Sequence, residues 1–572
     1  MFLSLLLSLS LQEQISSMPL DQSIDIDELM QIDISKISTE QLHPATQTLS
    51  QTFSQDRRQA LEQLRTVDRA VEGGYEQYMQ KYHPAVSKRF AESDRIFMVG
   101  CGSSGRIAID LAAKSGSDKV IGIIAGGGST FVRAKEGFED SQEAGRKAIR
   151  AKDVTAKDTV VLISASGSAQ FNIGAGLEAR ERGAEVFYFL NSSHVPERTR
   201  PLFDQHGVKP VTIDIGAQAI GGSTRLQAAT LDELCIGTAL QHQKLDISKV
   251  NQSVDRQLQN IQELGDLAFE TFASEKANFR RVKDETDQGY VTLLATADCI
   301  REVMVDATET APTFSTNPPA RTCEPAHRRA EFRAYMVSGK QDIDAWQDML
   351  GCELDATEKK DVAEISLSTA RNPSVGSFTN RPIGRGNMVV MVLANPDEIK
   401  TMLPYAIAAK TPGAKLGLIT LGQGDYSELA RYCDAHVAYP DIDNDSMHLA
   451  RAMMLKQTLN LVSNYAMVGM GKVYGNRMID LSASNNKLRV RSAGLVKKLL
   501  AEHGVTGLAD RDVMEMVVRA AAYKKQQAEK GRYVPSTIKL VLTMIEQGVK
   551  AEKAVETLQL AGENLEKIRR TA

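Results

Sequence analysis

The residues best equipped for chemistry stand in two short loops rich in glycine and hydroxyls. The first, GCGSSG, sets Gly100, Gly102 and Gly105 around Ser103 and Ser104. Glycines so spaced let the backbone turn tightly and approach a ligand closely. A helix opening after them would aim free N–H groups and its positive end at the turn, which suits an anion. The spacing also fits a dinucleotide loop, but that fold needs an acidic residue at the tip of its second strand. Here the second strand runs into AGGGST, Ala125 to Thr130, with no carboxylate at its tip. A second loop, SASGSAQF from Ser164 to Phe171, again offers hydroxyls and opens a helix. One such loop alone reads as ordinary serine capping. Two at the ends of neighbouring parallel strands, where sheets of this kind bind ligands, point to a pocket for one phosphate monoester.

Loops of this kind need a parallel sheet beneath them. Apolar runs alternate with helical ones: RIFMV, VIGII at Val120, TVVLIS at Thr159, EVFYFL at Glu185 and VTIDI at Val211. Continuous apolar strands between helices indicate a parallel sheet covered on both faces. A second round follows, with YVTLLAT at Tyr290, FRAYMV at Phe332, MVVMVL at Met388, KLGLIT at Lys415 and HVAY at His436. The tail from about Leu495 is helical. The predicted fold is α/β, with two doubly wound parallel sheets and a C-terminal helical cap. The expected division is an N-terminal segment over 1–50, sheet domains over 51–260 and 261–490, and a cap over 491–572. Superimposing GRIAIDLAAK on IREVMVDATE sets Arg106 beside Arg301 and Lys114 beside Glu309. The halves thus read as a divergent repeat in which TADCI has replaced CGSSG.

Composition excludes several classes. The 68 basic and 72 acidic residues give a net charge of -4, which argues against a nucleic-acid partner. The 6 cysteines form no C-x-x-C pair, so neither a disulfide framework nor a zinc site is expected, and a reducing, cytoplasmic setting fits. No metal-binding histidine spacing is present. The opening MFLSLLLSLSLQEQISSM lacks a basic n-region and is too short to span a bilayer. It is read as an upstream extension before a start at Met18, and no membrane association is expected.

GCGSSGR, IAGGGSTFVRAKEGFEDS, SASGSAQF and GGSTRLQAAT together resemble the sugar isomerase (SIS) domain family. Within it they are similar to the branch of N-acetylmuramic acid 6-phosphate etherase and glucokinase regulatory protein. STEQLHPAT resembles that branch's opening motif, with His43 where Asn is usual, and GKVYGNRMIDLSASNNKLRVR its closing one. The resemblance implies SIS-type sheets packed as a pseudo-dimer within the chain. Carried over by position, it puts a sugar phosphate on Gly102, Ser103, Ser104, Ser164, Ala165 and Ser166, with Arg225 and Lys487 adding charge or hydrogen bonds. Gln227 stands where the family usually has lysine.

The same resemblance implies two catalytic glutamates. EGFED supplies Glu139. The other family position is Lys114 in the first half, which cannot act as a carboxylate. DATETAPTF in the second half supplies Glu309 at the matching place. A composite site is therefore expected, with the phosphate cradle and Glu139 from one half and Glu309 from the other. The expected activity is a lyase that cleaves the lactyl ether of N-acetylmuramic acid 6-phosphate without a cofactor. The alternative implied is a non-catalytic sugar-phosphate sensor that regulates a sugar kinase.

Overall fold

Strands made almost wholly of Val, Ile, Leu, Phe and Met must be covered on both faces, and this requirement organises the chain. The computed structural model describes residues 17–132, 137–278, 289–316, 332–340, 342–363, 365, 367–369, 383–442, 445–530, 532–565 and 568. The sequence read as an upstream extension lies, up to residue 16, outside the described residues. Met18 is buried, and Arg519 donates to its carbonyl at 2.8 Å.

The first sheet contains β1 (Ile96–Gly100), β2 (Val120–Ile124), β3 (Thr159–Ile163), β4 (Glu185–Leu190) and β5 (Lys209–Thr212), in the order β2-β1-β3-β4-β5. The second contains β6 (Val291–Ala295), β7 (Phe332–Met336), β8 (Met388–Leu393), β9 (Lys415–Leu421) and β10 (Ala435–Tyr439), in the order β10-β9-β8-β6-β7. All pairings in both are parallel. Read from its own first strand, each half has the same order, so the repeat seen in sequence is also a repeat of topology. The strands match their expected spans to within one residue at each end except β5, which departs most. It ends at Thr212, because Asp214 turns away to accept from Ser193 N–H at 2.9 Å and Ser38 Oγ at 2.7 Å.

Leu449–Gly469 is buried along nearly its whole length. Polar groups buried with it need partners, and its Asn460, Ser463 and Asn464 find one in Arg225. The helix packs on helices of both halves, among them Gln227–Gln241, Leu258–Asn278 and Ile300–Phe314. Four helices, Asn486–Glu502, Asp510–Glu529, Thr537–Gln547 and Ala551–Leu560, form the cap. Trp346 is fully buried and donates to the Ile365 carbonyl at 3.2 Å. Among the described residues, no helix is long and apolar enough to cross a membrane.

The halves meet through Gly102–Ser115, which follows β1, and Ile300–Phe314, which follows β6. Their contact is charged. Lys114 Nζ reaches Glu302 at 2.8 Å, Glu233 at 3.1 Å and Asp110, whose other oxygen accepts from Arg301 Nε at 2.9 Å. Burial would lower the Lys114 pKa, but the charges of Asp110, Glu302 and Glu233 outweigh it and push it well up. Removing one member of a buried ion network leaves charges uncompensated, which costs about 3–5 kcal/mol. Lys114→Met is therefore expected to lower unfolding stability by at least ~3 kcal/mol, read from urea denaturation at neutral pH. An unchanged midpoint would show that the network does not hold the halves together.

Candidate functional site

Close backbone packing explains the glycines of the first loop. A Cβ on Gly100 would lie 2.6 Å from Gly105 N, and one on Gly105 would lie 2.6 Å from Gly100 O. Gly102 opens its helix with φ +51°, a left-handed value that glycine adopts without penalty. The space beside it belongs to the other half, since a Cβ there would stand 3.7 Å from Glu309 Oε1.

That space is a cavity of about 190 Å³, larger than the ~150 Å³ in which a benzene ring is held. Gly102, Ser103, Glu139, Arg225, Glu309 and Lys487 all line it. Ser104, Ser164, Ala165 and Ser166 are not among its lining residues. In the second loop the Ser164 hydroxyl accepts from Gly167 N–H at 3.1 Å, and the Ser166 and Ser168 hydroxyls bond each other at 2.8 Å.

Arg106 fixes the second-half carboxylate. Its Nε and Nη2 donate to the carbonyls of Phe131 and Thr130, each at 2.7 Å, while Nη1 pairs with Glu309. Arg106 is buried and Glu309 nearly so. Arg301, aligned with Arg106 in sequence, pairs with Asp110 instead. Glu139 reaches the same cavity from the first half. Its carbonyl accepts from Phe171 N–H at 3.1 Å, and its carboxylate accepts from Asn485 Nδ2 at 3.2 Å.

Arg225 borders the cavity, but its guanidinium is engaged between the halves. It pairs with Asp306 and donates to Asn460 at 3.1 Å, Ser463 at 3.3 Å and Asn464 at 2.8 Å. Lys487 likewise has a protein partner, Glu40, at 3.0 Å. Arg491 holds both oxygens of Glu40 at 2.7 Å. Burial would raise the Glu40 pKa, but Arg491 and Lys487 outweigh it and hold the carboxyl at about 2. Glu40 is the acidic residue of the opening motif, so that motif latches the N-terminal segment onto the cap beside the cavity. Gln227 donates to Asp68 and accepts from Ala219 N–H at 3.0 Å.

Two wall residues escaped the sequence reading. The hydroxyls of Thr130 and Ser223 are buried and have no hydrogen-bond partner among the described residues. Both sit in hydroxyl-rich stretches, AGGGST and GGSTR, which is the signal that could have found them. Cys101 also borders the cavity. Burial, with Glu139 and Asp140 nearby, pushes its thiol well up, so it is not a thiolate nucleophile at neutral pH. Among the described residues, no group of His, Cys, Asp and Glu is placed to hold a metal ion.

Comparison with known proteins adds four findings. Residues 78–179 match the family described as the glucokinase regulatory protein N-terminal SIS domain. An N-acetylmuramic acid 6-phosphate etherase of Picosynechococcus is 31% identical over 273 residues, which cover 43% of this chain and 86% of that protein. One from Rippkaea orientalis is 32% identical over 258 residues, covering 41% and 80% respectively. The solved tagatose-6-phosphate ketose/aldose isomerase of Escherichia coli aligns over 74% of this chain and 95% of that one, at 11% identity and a TM-score of 0.40, too slight a likeness to argue from.

The Glu40 clamp makes a pH prediction. A carboxyl held at about 2 against an ordinary 4.5 is worth roughly 3 kcal/mol to the fold. That contribution is complete above pH 4.5 and is lost as pH falls towards 2. Glu40→Gln should therefore be less stable than the parent chain at pH 7, with a gap that closes on acidification. Thermal melts from pH 7 to pH 3 would show it, and a gap independent of pH would exclude a charged Glu40.

Proposed function

We propose that this chain, which belongs to the N-acetylmuramic acid 6-phosphate etherase family, cleaves the lactyl ether of N-acetylmuramic acid 6-phosphate. The observation that carries the reading is that Glu139 and Glu309, from different halves, border one cavity with the Gly102–Ser103 turn. Elimination of an ether needs a base for the carbon-bound proton and an acid for the departing oxygen, and two carboxyls can share that work. One takes the proton from the carbon next to the carbonyl-derived one. The other protonates the ether oxygen as its bond to carbon breaks and lactate leaves. Water then adds across the double bond with the proton transfers reversed. The sequence is redox-neutral and calls for no cofactor.

In this reading the sugar phosphate rests on Gly102, Ser103 and Ser104, with the Ser164–Ser166 loop on its far side. Helix starts and hydroxyls grip the phosphate. Lys487 shifts from Glu40 towards the phosphate, and Arg225 secures the wall. Segments 51–260 and 261–490 act as the two halves of a pseudo-dimer, with 491–572 as the cap together with the first turn of its leading helix, which opens at Asn486. The protein works in the cytoplasm.

A second reading is favoured by the regulatory-protein match at 78–179 and by two sheets in a single chain. In it the same cavity binds a sugar phosphate without turnover, and its occupancy changes affinity for a sugar kinase. Incubation with N-acetylmuramic acid 6-phosphate separates the two. The etherase reading expects D-lactate, and expects Glu139→Gln and Glu309→Gln each to lower kcat at least ~100-fold. No lactate, together with a melting temperature raised by fructose phosphates, would favour the sensor.

A further inference from the structure

Asparagine at the start of a helix ordinarily does one thing: its side-chain oxygen accepts from a free N–H of the first turn. Asn485 does this for the Asn486–Glu502 helix, accepting from Leu488 N–H at 2.9 Å. The cap fixes which way the amide faces, because oxygen must point at the helix. The NH2 group then points away from it, and there it donates to Glu139 Oε2 at 3.2 Å across 346 residues of chain. A residue of the cap's first helix thus reaches a carboxylate of the first sheet at the cavity wall, and both residues line the cavity.

We infer that Asn485 is a positioning residue for Glu139, aiming that carboxylate into the cavity through an amide whose orientation the helix start dictates. This rests on the etherase reading for the role of Glu139, but the contact itself does not. Among the described residues, the charged or titratable groups that line the same cavity as Glu139 are Cys101, Arg106, Arg225, Glu309, Lys487 and Arg491; Asp140 follows it in the chain, and Glu40 pairs with Lys487 and Arg491. Arg133, Lys135 and Glu136, just before it in sequence, lie outside the described residues.

Capping and positioning can be separated, because Asp and Ser cap a helix about as well as Asn. Asn485→Asp keeps the cap but puts a carboxylate where the donor was. Asn485→Ser keeps the cap but is too short to reach Glu139. In the lactate assay, Asn485→Asp should lower kcat about 10- to 100-fold with KM changed less than ~3-fold, and should move the acidic limb of the pH profile upward. Asn485→Ser, which only removes the donor, should lower kcat less and move that limb upward by less. An unchanged kcat and pH profile for Asn485→Asp would overturn the inference.

A second measurement does not depend on turnover. The melting temperature of Asn485→Asp should fall relative to the parent at pH 7.5 but not at pH 4. The fall should vanish when Glu139→Gln is also present, since the two changes then share one contact. An identical fall in both backgrounds would refute the contact even if the parent chain releases no lactate. Absence of lactate alone would count against the etherase reading and leave the melting cycle to decide Asn485.

Discussion

The site depends first on the guanidinium of Arg106. It is buried, it donates to two backbone carbonyls of the Thr130–Phe131 stretch, and its remaining amino group pairs with Glu309 of the other half. A buried cation needs hydrogen-bond partners. Each of the three guanidinium nitrogens of Arg106 has one only when the turn after β2, the helix after β1 and the helix after β6 stand together. The ion pair that brings a second-half carboxylate to the first-half loop is therefore also a condition of packing. Removing Glu309 would leave Arg106 short of a partner as well as the cavity short of an acid.

The mirrored contact is built differently. A two-fold interface repeats every contact, so that if i touches j then j touches i. Applied to these halves, the rule would set Arg301 against Lys114, two like charges. Asp110 resolves the clash by accepting from Arg301 on one oxygen and from Lys114 on the other, and Glu233 and Glu302 complete the neutralisation. The place where a second acid would project is filled by a closed ionic network. Asp306 follows the same logic one turn before Glu309, holding Arg225 of the first half.

Much of this was legible in the residues alone. Apolar runs gave the ten strands of the two parallel sheets, since a strand buried on both faces has little freedom in composition, but not the short antiparallel pair Val473–Tyr474 and Arg477–Met478. The sequence offset between the halves pointed to Glu309 because identical topology preserves register along the helix that follows the first strand. What stayed hidden was the set of partners. Arg225 and Lys487 sit in phosphate-type motifs, yet their charges are met by Asp306 and Glu40, which lie far away in sequence. Asn485 stood inside a quoted motif, but its reach to Glu139 depends on how the cap docks, and no local periodicity encodes docking. The second hydroxyl loop was expected at the ligand; its Ser164 and Ser166 bond within their own turn, a local pairing that small hydroxyl side chains form readily and that sequence alone does not reveal.

Fusion explains why the halves could diverge in complementary ways. In a symmetric pair of identical chains, a lysine in place of the acid would remove it from both pockets at once, and loss of the loop glycines would spoil both cradles. Once the halves share one chain, each can change alone. The first has Gly100, Gly102 and Gly105 together with Lys114; the second has Glu309 and no glycines in the matching loop. The cavity beside Gly102 takes its lining from both halves. At the position matching Glu309 in the first half, Lys114 is a buried amine with three carboxylate partners that ties the two halves together.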